Sequence, residues 1–170
     1  MNGPRSEVEE RMTDSLFWEI VACLDWSTWD TSHDEQAVLE PAVRRLAVLS
    51  IREICLFDEF LHWRLYTLDT REHALNFAPG EYCYGYVDDD TPFSTDGFMD
   101  CRAMVVARGQ QEYERVLADP TQMARQGFEG FAYLASFAYQ RKTGADYPYE
   151  VGIDTWAGCN KAGWLSEASV

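Results

Sequence analysis

Residues 50–69, SIREICLFDEFLHWRLYTLD, read as one long helix. Ser50 and Glu53 have the spacing of a capping box, in which each side chain satisfies a free backbone N–H of the first turn. At about 100° per residue, Ile51, Ile54, Cys55, Leu61, Leu65 and Leu68 form one broad apolar arc, so this helix should be central and buried. Asp58 and His62 fall within that arc, four residues apart and therefore neighbours on the helix surface. A carboxylate and an imidazole on such a face require partners or a function.

The flanking sequence continues in helical pattern. Asp14 or Ser15 can cap a helix reaching about Asp25, with Phe17, Ile20, Val21 and Leu24 as its buried stripe and Trp18 beside it. Ser32 and Glu35 offer a second capping box before Val38, Leu39, Ala42, Val43, Leu46 and Leu49, and Pro41 predicts a kink there. A weaker helix follows at residues 70–78, broken by Pro79-Gly80. Ser94 or Thr95 starts a helix over residues 96–108, closed by Gly109, with Phe98, Cys101, Arg102, Met104 and Val105 on its apolar arc. A short helix carries Tyr113, Val116 and Leu117, and Asp119-Pro120 starts another turn. The last strong helix spans about Phe128 to Lys142, turning Phe131, Ala132, Ala135, Ala138 and Tyr139 inward, and Gly144 ends it. The expectation is an all-α, single-domain bundle of five to seven helices over residues 14–144. A polar lead-in, 1–13, and an irregular C-terminal extension, 145–170, flank it.

Several of these local patterns, in chain order, resemble one family: Phe17-Trp18-Glu19; Phe57 and Phe60; Ser94-Thr95-Asp96-Gly97-Phe98 with Arg102 and Gly109; Tyr113-Glu114; Leu117-Ala118-Asp119-Pro120; and Glu129, Phe131, Tyr133, Ala138 and Tyr139 ahead of Thr143-Gly144. Together they look like the DUF4240 family, a group of uncharacterised bacterial domains common in actinobacteria. The segment from Glu81 to Pro92 looks like an insertion relative to that family, and Thr95 stands where the family tends to be acidic. The resemblance implies a fold, not an activity.

With 29 acidic against 14 basic residues, the formal charge is −15. Such a surface repels phosphate, which argues against nucleic acid and against anionic membrane as partners. It permits a basic protein or peptide. The cysteines Cys23, Cys55, Cys83, Cys101 and Cys159 form no CxxC pair, and Cys23, Cys55 and Cys101, in apolar helical patterns, read as small core residues. A reducing cytoplasm and a monomer or homodimer are expected. No cofactor or metal is expected.

Three constellations could carry chemistry. Glu59-Phe60-Leu61-His62 is a single ExxH, where a di-iron bundle needs two and further Glu residues. Asp58, His62 and Arg102 are the charges predicted on buried arcs, and an inward Asp and Arg should pair. That set is either a structural polar knot between two helices or a ligand-binding or active pocket, with Asp96 and Glu129 as further candidates. His33 and His73 read as exposed. Finally, Glu81 to Thr95 combines Tyr82, Tyr84, Tyr86 and Phe93 with Asp88, Asp89 and Asp90, a composition suited to a basic protein surface or to pinning a long loop to the core. These features favour a non-enzymatic acidic interaction protein of regulatory, immunity or accessory type. The alternative is a small enzyme or ligand-binding protein with its pocket around Asp58, His62 and Arg102.

Overall fold

The structure, a computed structural model, describes residues 12–29, 34–77, 85–88 and 91–165, with the backbone alone at 85–88, 91 and 92. Among these residues the α-helices in chain order are α1 (Asp14–Val21), α2 (Glu35–Ala47), α3 (Ile51–Thr67), α4 (Arg71–Asn76), α5 (Thr95–Ala107), α6 (Gln110–Ala118), α7 (Leu134–Thr143) and the single turn α8 (Lys161–Trp164). Two short strands, β1 (Gly85–Asp88) and β2 (Thr91–Phe93), form an antiparallel hairpin between α4 and α5. The fold is all-α with this one small addition.

Local sequence sets the helix starts. Ser50 accepts from the Glu53 N–H at 3.2 Å while Glu53 accepts from the Ser50 N–H at 2.8 Å, completing the capping box of α3. Thr13, one residue before the expected caps, holds α1, and Asp34 rather than Ser32 caps α2 through the Ala37 N–H. Ser32 lies outside the described residues. Pro41 sits inside an unbroken α2. At the end of α5, Gly109 takes φ +99°, a backbone state in which a side chain is strained.

Helix α3 is the central element, packed on α7, α5 and α1, while α2 makes its main contact with α7. Its buried side is rotated from the expected arc. Phe57, Leu61 and Leu68 are fully enclosed, Ile51 is 45% exposed, and Arg64 is buried. The reason is Phe57, which stacks on Phe17 of α1 at 4.8 Å between ring centroids and draws that side of α3 into the core. Arg64 is tolerated there because its guanidinium lies 4.1 Å over the Phe17 ring and is ion-paired with Asp14. Two further aromatic clusters add to the core. Trp26 and Trp29 meet Phe128 at 5.4 and 5.3 Å, and Phe77, Phe93 and Phe98 meet one another at 5.4–5.6 Å. Phe93 thus fastens the hairpin to the core.

Some expectations need correction. His73 is buried, because it fills the space between α4 and α6. There its Nε2 donates to the Val116 carbonyl at 3.1 Å and its Nδ1 accepts from Thr70 Oγ1 at 2.7 Å. Burial accordingly lowers its pKa. Leu117 is 42% exposed, and Cys23 and Cys55 are only half-buried. The final helix begins with a 3-10 stretch, Glu129–Tyr133, before α7. No helix among the described residues is long and apolar enough to cross a membrane.

Two substitutions separate packing from capping in α3. Phe57→Ala should destabilise by about 3–5 kcal/mol. Ser50→Ala should destabilise by about 1 kcal/mol. Urea denaturation measures both, and equal effects would mean that α3 is not the packing centre.

Candidate functional site

The last residue of the long helical stretch, Asp69, is completely buried. A carboxylate at a helix C-terminus faces the negative end of the dipole, so compensation has to come from elsewhere. It comes from the C-terminal segment. Asp69 Oδ1 accepts from the Gly158 N–H at 3.0 Å and from Trp164 Nε1 at 2.8 Å, and Oδ2 accepts from the Asn160 N–H at 2.9 Å. Arg102 of α5, also fully buried, brings Nη1 to 4.0 Å from the same carboxylate. Its Nη1 donates to the Leu65 carbonyl at 2.9 Å and its Nη2 to the Thr155 carbonyl at 2.7 Å. Burial pulls the guanidinium down to about 10 against the pull of Asp69, which still leaves it charged at neutral pH.

So the inward Arg does pair with an inward Asp, but with Asp69 and not Asp58. Residues 58 and 69 are eleven apart, about three turns, and the Arg102 side chain meets the C-terminal end of α3. Arg102 therefore lies outside the pocket that Asp58 and His62 share.

That pocket has a volume of about 530 Å³. Asp58 and His62 line one wall from α3, Ala132, Tyr133 and Ser136 another, and Tyr147 with residues 149–156 close it. His62 Nδ1 stands 3.0 Å from the Ile153 carbonyl, an acceptor only, so Nδ1 carries a proton. Nε2 then faces Asp58 Oδ1 at 3.6 Å. Burial raises the pKa of Asp58, and the neighbouring His62 opposes that rise. The Tyr147 hydroxyl is enclosed beside Asp58 and Cys55. Burial and then the Asp58 charge push its pKa up. Glu59, on the same helix, accepts from the Tyr149 hydroxyl, so the ExxH residues face different partners. No group of His, Cys, Asp or Glu among the described residues is arranged to hold a metal ion.

Asp96 and Glu129 are exposed and do not line this pocket. They surround Asp100 instead. Burial first, then Glu129, Asp96 and Glu35, push the Asp100 carboxyl from 3.8 up to about 6. This crowding arises because the Glu129 turn is tied to α5 by the Phe128 N–H to Asp100 carbonyl bond, 3.0 Å, and because Glu35 reaches over to accept from the Gly130 N–H at 2.8 Å. Of the expected partner-binding residues, Tyr86 and Asp88 belong to β1, while Tyr82, Tyr84, Asp89 and Asp90 lie outside the described residues, as does His33. Sequence reasoning missed Asp69, Tyr147 and Trp156. The first could have been found from its unfavourable place at a helix end; the others lie in the 145–170 extension, where no periodic pattern assigns a face.

The DUF4240 family model, described as a protein of unknown function, matches residues 12–141. The chain belongs to that family. No curated protein and no solved structure matches it. Nine of the fourteen pocket-lining residues, Tyr147 and 149–156, lie beyond the family match, so the pocket is a joint product of the family domain and the segment that follows it.

Two predictions follow from these charges. Removing one partner of a buried pair costs about 3–5 kcal/mol. Asp69→Asn should approach that loss and free the tail, since Arg102 then has no buried carboxylate. Arg102→Met should cost less, because Asp69 keeps its three N–H donors. Thermal melts and limited proteolysis of residues 145–165 read both, and the reverse order would remove Asp69 as the organising group. At Asp100 the folded pKa exceeds the unfolded one, so folding binds an extra proton and stability from this group falls as pH rises from about 4 to about 6. Asp100→Asn should therefore melt higher than the parent at pH 7 and converge with it below pH 4. Parallel curves throughout would show that Asp100 is not crowded.

Proposed function

We propose that this protein is a non-enzymatic binding protein that receives a positively charged group in the pocket beside Asp58 and His62. The observation that carries this reading is the lining. Three carboxylates, Asp58, Glu150 and Asp154, share the wall with four aromatic rings, Tyr133, Tyr147, Tyr149 and Trp156, and no Lys or Arg lines it. Carboxylates attract a cation and aromatic faces stabilise it through the ring quadrupole. The Trp156 N–H first, and then the Cys159 thiol, hold the Asp154 carboxyl below its ordinary value, which keeps it ionised. A volume of about 530 Å³ is that of a small-ligand site. A net charge of −15 attracts the same kind of partner at long range. A guanidinium or ammonium group on a basic partner protein or peptide fits this chemistry.

Isothermal titration of the full chain with agmatine, against glutamate as an anionic control, tests the reading. Agmatine should bind, and Asp58→Asn with Glu150→Gln should weaken it by about tenfold or more, the scale of a charged hydrogen bond. Because burial raises Asp58, affinity should fall as pH is lowered while still above the ordinary carboxylate range. Equal binding of glutamate, or no heat with agmatine, would remove the proposal.

A second reading, a small enzyme, draws on one observation: His62 lies between an acceptor carbonyl and a buried carboxylate, in the pocket that the buried Tyr147 hydroxyl also adjoins. Those are the parts of a proton-transfer site. On that reading His62→Ala would abolish proton transfer in the pocket while leaving agmatine binding intact.

A further inference from the structure

A second depression, of about 570 Å³, adjoins the cation pocket. Ile153 lines both, and Glu59 of the second accepts a hydrogen bond from Tyr149 of the first, so the two share a wall. Its most exposed apolar side chains are Trp63 and Leu117, at 55% and 42%. Trp63 is held flat by stacking on Tyr66, with centroids 5.7 Å apart and planes 20° from parallel. Of eight exposed large apolar side chains among the described residues, four border these two depressions: Trp63, Leu117, Tyr133 and Trp156. A concentration of exposed aromatic surface of this kind marks an interaction site, and Trp and Tyr are enriched among the anchors of interfaces.

Charge selects the occupant. Asp14, Glu59 and Glu114 line the cleft around that apolar surface. The one cation lining it, Arg64, is buried under the Phe17 and Trp18 rings and paired with Asp14, so those two charges offset each other and Glu59 and Glu114 leave the rim negative. A second copy of this chain would bring another −15 against the rim, and an anionic membrane would be repelled in the same way. We infer that Trp63 and Leu117 floor a docking cleft for a basic, amphipathic segment of a partner protein, whose apolar side chains seat there while a neighbouring Lys or Arg enters the pocket at Asp58. The inference rests on the cation-receiving reading and extends it from one charged group to the segment that bears it. Acidic rim residues steer the partner in, and the aromatic floor retains it.

The test uses the full chain and three short synthetic peptides followed by fluorescence anisotropy: alternating Lys/Leu, Lys/Ser of equal charge, and Glu/Leu. The Lys/Leu peptide should bind at least tenfold more tightly than the Lys/Ser peptide, and the Glu/Leu peptide should not bind. Trp63→Ser and Leu117→Ser should each weaken Lys/Leu binding by about tenfold or more. Both sites are solvent-exposed, so matched circular dichroism spectra are expected, and Val48→Ser, at a 73% exposed position lining neither depression, should change nothing. Both variants should leave agmatine binding unchanged. Equal affinity for the two basic peptides, insensitivity to Trp63→Ser and Leu117→Ser, or no peptide binding at all overturns the inference. Agmatine binding together with Lys/Leu binding that is insensitive to Trp63→Ser removes the cleft and keeps the pocket. Lys/Leu binding that depends on Trp63, without agmatine binding, does the reverse.

Discussion

The buried carboxylate of Asp69 is the constraint on which the rest of this structure depends. It sits where α3 ends, in the least favourable field of the helix, and is completely enclosed. Three N–H donors from one irregular segment and a fully buried Arg102 make that position tolerable. Arg102 passes the constraint on, because its second nitrogen holds the Thr155 carbonyl. Thus a segment with hardly any regular secondary structure follows a fixed path across α3. Desolvated charge helps determine where residues 145–165 lie, since an unpaired carboxylate or guanidinium there would be costly, and Tyr147 and Trp164 add aromatic contacts with the core.

The pocket is a consequence of that path. As the segment runs from Tyr147 to Trp156 it stands off α3 just enough to leave Asp58, His62 and Tyr147 facing a cavity. Ile153 touches His62 through its carbonyl and divides this cavity from the Trp63 cleft. Acidic and aromatic side chains come to these two depressions from α1, α3, α6, the Glu129–Tyr133 stretch and the tail. A chain of −15 offers many carboxylates; what distinguishes these is that aromatic rings lie beside them and partly exclude water, which strengthens their hold on a cation.

Much of the helical architecture was legible in the sequence. The Ser50 capping box, the Asp119-Pro120 turn and the Gly144 stop are local events, governed by residues within four positions of each other. The buried stripe of α1 was legible for the same reason, as one face of a short amphipathic helix. The orientation of α3 was not. Its sequence is apolar nearly all round, so periodicity alone cannot choose between a side containing Ile51 and a side containing Phe57; the stack on Phe17 chooses. His73 looked exposed because its own helix is short and weakly patterned, and its burial depends on α6, over forty residues away.

By itself the sequence determined an all-α fold, its family, a net charge of −15, and the burial of Asp58 and Arg102. Each follows from composition, ordered motifs or helical spacing. Only the tertiary structure decided which carboxylate Arg102 meets, that Asp96 and Glu129 crowd Asp100 rather than a pocket, and that the tail supplies most of the cavity around Asp58. The physical reason is sequence distance. Spacing predicts which residues share a helix face, because the backbone fixes neighbours three and four apart. It cannot predict contacts across thirty to ninety residues, such as Arg102 with Asp69 or Ile153 with His62, which the packing of whole elements brings about.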